Sequence, residues 1–138
     1  MAFNEELDKS GRDKMFYRIG FIERPFRETK EDILRDMKKI TNPNFQDNEG
    51  ISYLHMACQV HSLEAIRILL ELGADPNLDD NYKSSPVSRA LGRKNNNNKD
   101  ILKLLLEYGL DLNKTEGSQT LKEWIKMLSG DEFNELIG

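Results

Sequence analysis

At 138 residues, with 38% hydrophobic and 32% charged side chains, the chain fits one soluble globular domain with a modest core. No apolar run approaches the roughly 18 to 20 residues of a membrane span, and the start Met1-Ala2-Phe3-Asn4-Glu5-Glu6 carries acids where a signal peptide carries basic and then apolar residues. Cys58 is the sole cysteine, so no internal disulfide is expected and a reducing, cytoplasmic setting is favoured, while a net charge of -4 argues against nucleic acid, whose phosphates call for an excess of Lys and Arg.

The first apolar stretch is Met15-Phe16-Tyr17-Arg18-Ile19-Gly20-Phe21-Ile22. It predicts a short helix that Pro25 ends, because the residue before a proline avoids the helical region. Two readings stand for residues 1–30: a helix lying on the neighbouring helical segment, or a separate binding arm. Ile33, Leu34, Met37 and Ile40 then make one apolar helical face. Leu54, Ala57 and Cys58 make the next, and Leu63, Ile66, Leu69 and Leu70 continue it on a second helix. Ser62 suits the N-cap of that helix, and Gly73 its C′ position with positive φ. Pro86 suits a helix start, where its missing N–H costs nothing. The loop from Gly92 to Asn98 is longer than its counterpart before Leu63, as a contact feature or a tolerated insertion. Asn98 is expected to cap the helix after it. At the end, Asp131 is expected to cap a short helix with Phe133, Leu136 and Ile137 turned inward.

These elements repeat. Leu54 and Val87 are 33 residues apart, as are Pro43 and Pro76, and Val87 and Leu121 are 34 apart. The stretch Gly50-Ile51-Ser52-Tyr53-Leu54-His55-Met56-Ala57 recurs as Lys83-Ser84-Ser85-Pro86-Val87-Ser88-Arg89-Ala90. The stretch Leu69-Leu70-Glu71-Leu72-Gly73-Ala74-Asp75-Pro76-Asn77 recurs, more loosely, as Leu105-Leu106-Glu107-Tyr108-Gly109-Leu110-Asp111-Leu112-Asn113. With these motifs, at a period near 33, the chain resembles the ankyrin-repeat family over roughly residues 31–137. The first stretch is similar to the family's G-x-T-P-L-H-x-A, with Ser52 for Thr and Tyr53 for Pro; the second is similar to L-L-x-x-G-A-D-P-N. In size and charge the chain looks like the small bacterial-type members.

The resemblance implies an all-α fold, an ankyrin-repeat solenoid with two full repeats between degenerate N- and C-terminal capping repeats. Thr41-Asn42-Pro43-Asn44 stands for the leading cap, and Gly117-Ser118-Gln119-Thr120-Leu121 opens the trailing one, where Lys122 replaces the family's His and Trp124 its small Ala. Residues 1–30 are then an N-terminal capping extension and 31–138 the repeat domain.

By the same resemblance His55 has a structural role, bonding neighbouring turns. His61 stands where the family usually has Gly and has no partner at a zinc-binding spacing. Cys58 replaces a buried Ala and behaves as a small hydrophobe. No phosphate loop is present, and no carboxylate pair stands out for acid and base work. No catalysis, cofactor or metal is expected.

The resemblance instead implies a protein partner on the turn tips and the exposed ends of the first helices. These positions are Gln46, Asn48, Glu49, Ile51, Gln59 and Val60 in one unit and Asp79, Asn81, Tyr82, Ser84 and Arg93 in the next. Lys114, Glu116, Ser118, Lys126 and Met127 are their counterparts in the third. Tyr82 is a common hot-spot type; Tyr82 and Ile51 each read as contact residue or as packing on a neighbouring turn. Asp47 and Asp80 match the family's turn aspartate, which bonds the turn backbone. Glu49 and Asp79 are freer to meet a basic partner, and the acidic body suits either such a partner or plain solvation. The expected function is a non-enzymatic protein–protein interaction module. One form is a stoichiometric inhibitor or immunity protein for a basic toxin, and the alternative is a general adaptor or scaffold. No nucleic acid or membrane contact is expected, and the chain alone is expected to be a monomer.

Overall fold

A helix of six to ten residues is marginal by itself, so the helices here must be held by caps and neighbours. The computed structural model describes residues 6–138; the acidic start at residues 1–5 lies outside them. The described residues build α1 (Lys14–Gly20), α2 (Lys30–Met37), α3 (Tyr53–Gln59), α4 (Leu63–Glu71), α5 (Pro86–Leu91) and α6 (Asn98–Glu107). A small antiparallel hairpin of β1 (Thr115–Glu116) and β2 (Gln119–Thr120) comes next, then α7 (Leu121–Ser129) and α8 (Asn134–Ile137). Side-chain oxygens of Asp13, Thr29, Ser52, Ser62 and Thr120 each accept a backbone N–H left unpaired in the first turn of α1, α2, α3, α4 and α7. Pro86 is the first residue of α5.

Two expected caps fall elsewhere. Asn97, not Asn98, is the N-cap of α6; Asn98 is inside the helix, and its Nδ2 donates to the Arg93 carbonyl at 2.9 Å, closing the long loop. Asp131 lies two residues before Phe133, the N-cap of α8, and its carboxylate accepts from the Asn134 side chain at 3.0 Å. Phe133 and Ile137 are buried as expected.

Helices α1, α3, α5 and α7 pack in one row, and α2, α4 and α6 in a second. Each neighbouring pair forms a hairpin, and the apolar faces close between successive hairpins around Ile33, Leu54, Ile66, Leu69, Val87 and Ile101. This is an all-α solenoid of stacked helical hairpins, the fold the resemblance implies. Stacking is repeated outside the helices. Asn44 donates to the Gly73 carbonyl and accepts from the Asp75 N–H; Asn77 does the same with Gly109 and Asp111. Among the described residues no helix is long and apolar enough to cross a membrane.

The sequence reading sets residues 1–30 outside the repeat, as an N-terminal extension. Asp8 Oδ1 accepts the backbone N–H of Ser10 and Arg12 at 2.9 and 3.0 Å, around Gly11 at φ 79°. Asp47 repeats this with Glu49 and Ile51, and Asp80 with Tyr82 and Ser84. Residues 8–20 thus have the build of a repeat's turn and first helix, with α2 as the second helix. The division at residue 30 falls at the start of α2, inside that hairpin. Helix α1 ends at Gly20, before Pro25, and the long 21–29 loop stretches the step from Asp8 to Asp47 beyond that from Asp47 to Asp80. The junction with the next unit is aromatic: the Phe16 ring lies 4.6 Å from that of Tyr53 and 6.0 Å from that of Phe45. The Tyr53 hydroxyl donates to Asp13, the buried cap of α1, whose pKa burial pushes up.

Leu69→Ala is expected to lower stability by about 2–5 kcal/mol, and Phe16→Ala by about 3–5 kcal/mol. Tyr82→Ala, at a residue 69% exposed, should cost under about 0.5 kcal/mol. Urea midpoints measure all three. A small loss for Phe16→Ala would return residues 8–20 to the status of a loose extension.

Candidate functional site

The turn tips are stitched to one another through the backbone. Asn48 donates its N–H to the Ser10 carbonyl and its Nδ2 to that of Lys9, at 2.8 and 2.9 Å. Asn81 does the same to Glu49 and Asn48, at 2.8 and 2.9 Å. Gln46 Nε2 bridges the carbonyls of Gly50 and Asp79 at 2.8 and 3.0 Å. The approach is close enough that a Cβ on Gly50, which has φ 77°, would lie 2.6 Å from Asn81 Oδ1.

The turn aspartates are spoken for. Beyond its two backbone N–H groups, Asp47 pairs with Arg12 Nε at 2.8 Å and Asp80 with Arg89 Nη2 at 3.2 Å. Burial would raise the Asp80 pKa, but the Ser84 N–H and the Arg89 guanidinium outweigh it and the net direction is down. Asp79 pairs with Lys114, and Glu49 accepts from the Tyr82 hydroxyl at 3.3 Å. Glu49 is exposed, so the sequence expectation of freedom suits it better than Asp79.

His55 sits at the family's histidine position and is fully buried. Its Nδ1 accepts from Ser52, through N–H at 3.2 Å and Oγ at 2.8 Å, so Nε2 carries the proton and donates to the Ser84 carbonyl of the next turn at 2.9 Å. Burial, the largest influence, holds its pKa below the ordinary value. In the following unit Ser88 stands where His55 stands and cannot span the gap. Glu116 reaches back instead. Its buried carboxylate accepts from the Ser85 N–H at 2.8 Å and from Ser88 Oγ at 2.9 Å. Glu116 is therefore a stacking residue, not a surface one; the Ser in the histidine register was the signal for it. His61 adopts φ 57°, which explains the family's glycine there, and donates Nε2–H to the Ala90 carbonyl at 2.8 Å. Cys58 is buried, and burial pushes its thiol pKa well up, away from nucleophile chemistry.

Of the expected partner-binding positions, Asn48, Glu49, Gln59, Asn81, Tyr82 and Arg93 are exposed, and Gln46, Val60, Asp79 and Ser84 half-buried. Ile51 is 5% exposed and belongs to the core, so packing takes it. Gln59 and Arg93 are tied together: Arg89 donates to Gln59 Oε1 at 2.9 Å and Arg93 to its carbonyl at 3.4 Å. Tyr82 and Ser84 instead open onto a groove of about 420 Å3, lined also by Ser88, Gly92, Trp124 and Leu128. Trp124 Nε1 donates to the Glu116 carbonyl at 2.9 Å, which fixes the indole as one wall. Leu128, one helical turn further along α7, is 47% exposed. The groove is mostly apolar, with Lys83 and Glu116 also in its lining, and that make-up suits a contact site.

Comparison with known proteins agrees with this geometry. The family model described as ankyrin repeats in three copies matches residues 27–116. A 90-residue stretch is 36% identical to an ankyrin repeat protein of fowlpox virus (strain NVSL). That stretch covers 64% of this chain but only 15% of the length of the viral protein.

The His55 environment gives a signed pH effect. The unfolded chain takes a proton on this residue below about pH 6.5, whereas the buried ring stays neutral to lower pH. The stability that depends on this residue is therefore present above about pH 6.5 and is lost as the pH falls below it, by at most about 1.4 kcal/mol per pH unit. Chemical denaturation of wild type and His55→Gln across that range checks it: the slope should flatten in the variant. Glu116→Ala, which strands the Ser85 N–H, is expected to cost about 1–3 kcal/mol in the same assay.

Proposed function

We propose a function from one premise: the chain belongs to the ankyrin-repeat family. Ankyrin repeats generally serve as protein–protein interaction modules, and this chain binds a protein partner in the groove of Tyr82, Trp124 and Leu128. The observation that carries the reading is that Tyr82, Trp124 and Leu128 line one groove and keep part of their apolar surface exposed there. Tyr and Trp are the residue types that dominate binding energy at such sites. The chain acts without catalysis, cofactor or metal, as a monomer and a stoichiometric inhibitor of a basic partner. The net charge of -4 and the exposed Glu49 beside Tyr82 support a basic partner by speeding encounter. Asp79 can join, because exchanging its partly exposed pair with Lys114 costs about 1 kcal/mol or less. A second reading, an adaptor that holds two partners, is supported by another exposed aromatic surface on the leading unit.

Affinity capture from source-cell lysate tests the binding surface. Wild type is expected to retain a protein that Tyr82→Ala with Leu128→Ala does not, while both chains keep the same urea midpoint. Equal recovery by both would remove the groove from the function. Adding an equimolar amount of the chain to the captured partner then separates the readings: lost partner activity supports an inhibitor, unchanged activity an adaptor.

A further inference from the structure

We propose that the leading unit carries a second docking surface, at the loop between α1 and α2, for an acidic peptide segment with an apolar anchor on a partner protein. The surface is a concavity of about 570 Å3 walled by Tyr17, Phe21, Arg24 and Phe26. Phe21 is 60% and Phe26 76% exposed. The core closes without them, so these rings keep apolar surface that a partner can cover.

The charges at the rim choose the partner. The acids around the concavity already have partners inside the chain: Glu28 pairs with Arg18 at 2.6 Å, Asp36 with Arg18 at 2.9 Å and Lys39 at 3.3 Å, and Glu23 shares Lys30 with Glu64 at 3.2 and 2.9 Å. Arg24 and Arg27 enter no ion pair among the described residues. The Arg27 guanidinium lies 5.0 Å from the Phe26 ring centre, an arrangement that leaves its N–H edge open to a carboxylate. Residues 17–30 hold four basic side chains, Arg18, Arg24, Arg27 and Lys30, against two acids, Glu23 and Glu28, so this loop is locally positive on a chain whose net charge is -4. Two guanidinium groups suit the carboxylates of a peptide. A polyanion such as a phosphate backbone or an anionic lipid surface would meet the acidic remainder of the chain and be repelled. The lining shares no residue with the groove at Tyr82, so the two surfaces can be filled at once.

The test is selection of a phage-displayed random-peptide library on the whole chain, followed by affinity measurement with labelled copies of the enriched peptides. Enriched peptides are expected to carry Asp or Glu beside Phe, Trp or Leu. Phe26→Ala and Arg24→Glu should each weaken them about tenfold or more, added salt should weaken them further, and Tyr82→Ala should leave them unchanged. Both altered residues are exposed, so unchanged urea midpoints exclude misfolding. Failure to enrich any peptide, enrichment of peptides without acids, or equal affinity for Phe26→Ala would overturn the proposal. So would phosphatidylserine vesicles that sediment wild type but not Arg24→Glu, which would assign the surface to a membrane.

Discussion

Everything in this chain depends on the fact that one turn and two short helices have two apolar faces and cannot bury both alone. Stacking solves that, but it brings the turn tips together backbone against backbone, where every N–H needs an acceptor. Asp8, Asp47 and Asp80 meet the need with one carboxylate oxygen each, and Asn48 and Asn81 carry the bonding from tip to tip. His55 ties the first turn of α3 to the next tip from beneath. Where Ser88 takes the histidine position, Glu116 supplies the same link from the opposite side. The linkage is the invariant; the side chain that makes it is not.

That economy also decides where function can lie. Polar tip residues that look available in one dimension are largely consumed in three: Gln46 bridges two carbonyls, Asp47 and Asp80 hold arginines, and Asp79 holds Lys114. The surface that stays open is aromatic and aliphatic: that of Tyr82, Trp124 and Leu128 at one end, and of Phe21 and Phe26 at the other. A binding reading therefore rests better on these rings than on the acidic balance of the chain.

The repeat was legible because Leu54 to Ala57 and Leu69 to Asn77 hold helix spacing, cap and turn residues in one pattern, each with its own physical reason. The leading unit was not, because loop 21–29 breaks the period and Asp13 and Phe16 share no letters with Ser52 and His55. Its signal was Asp8-Lys9-Ser10-Gly11, a turn aspartate and a glycine in the same relation as Asp47 and Gly50. Ile51 stayed open between contact and packing because a tip position alternates between solvent and the layer below, and spacing alone does not give the phase. Glu116 was hidden because its partners lie in the preceding unit, and Asn98 because a run of four asparagines offers several equivalent caps. The groove wall was half legible: Trp124 in a small-residue position was visible, but not that its indole would be turned to the Glu116 carbonyl.

Amide hydrogen exchange of the chain, alone and in complex with its captured partner, tests the central claim most directly, since it reads the contact surface without altering a residue. The account expects added protection around Tyr82 to Ser84 and along Trp124 to Leu128, with α4 and α6 unchanged. Protection confined to α4 and α6 would contradict it and place the partner on the opposite side of the stack.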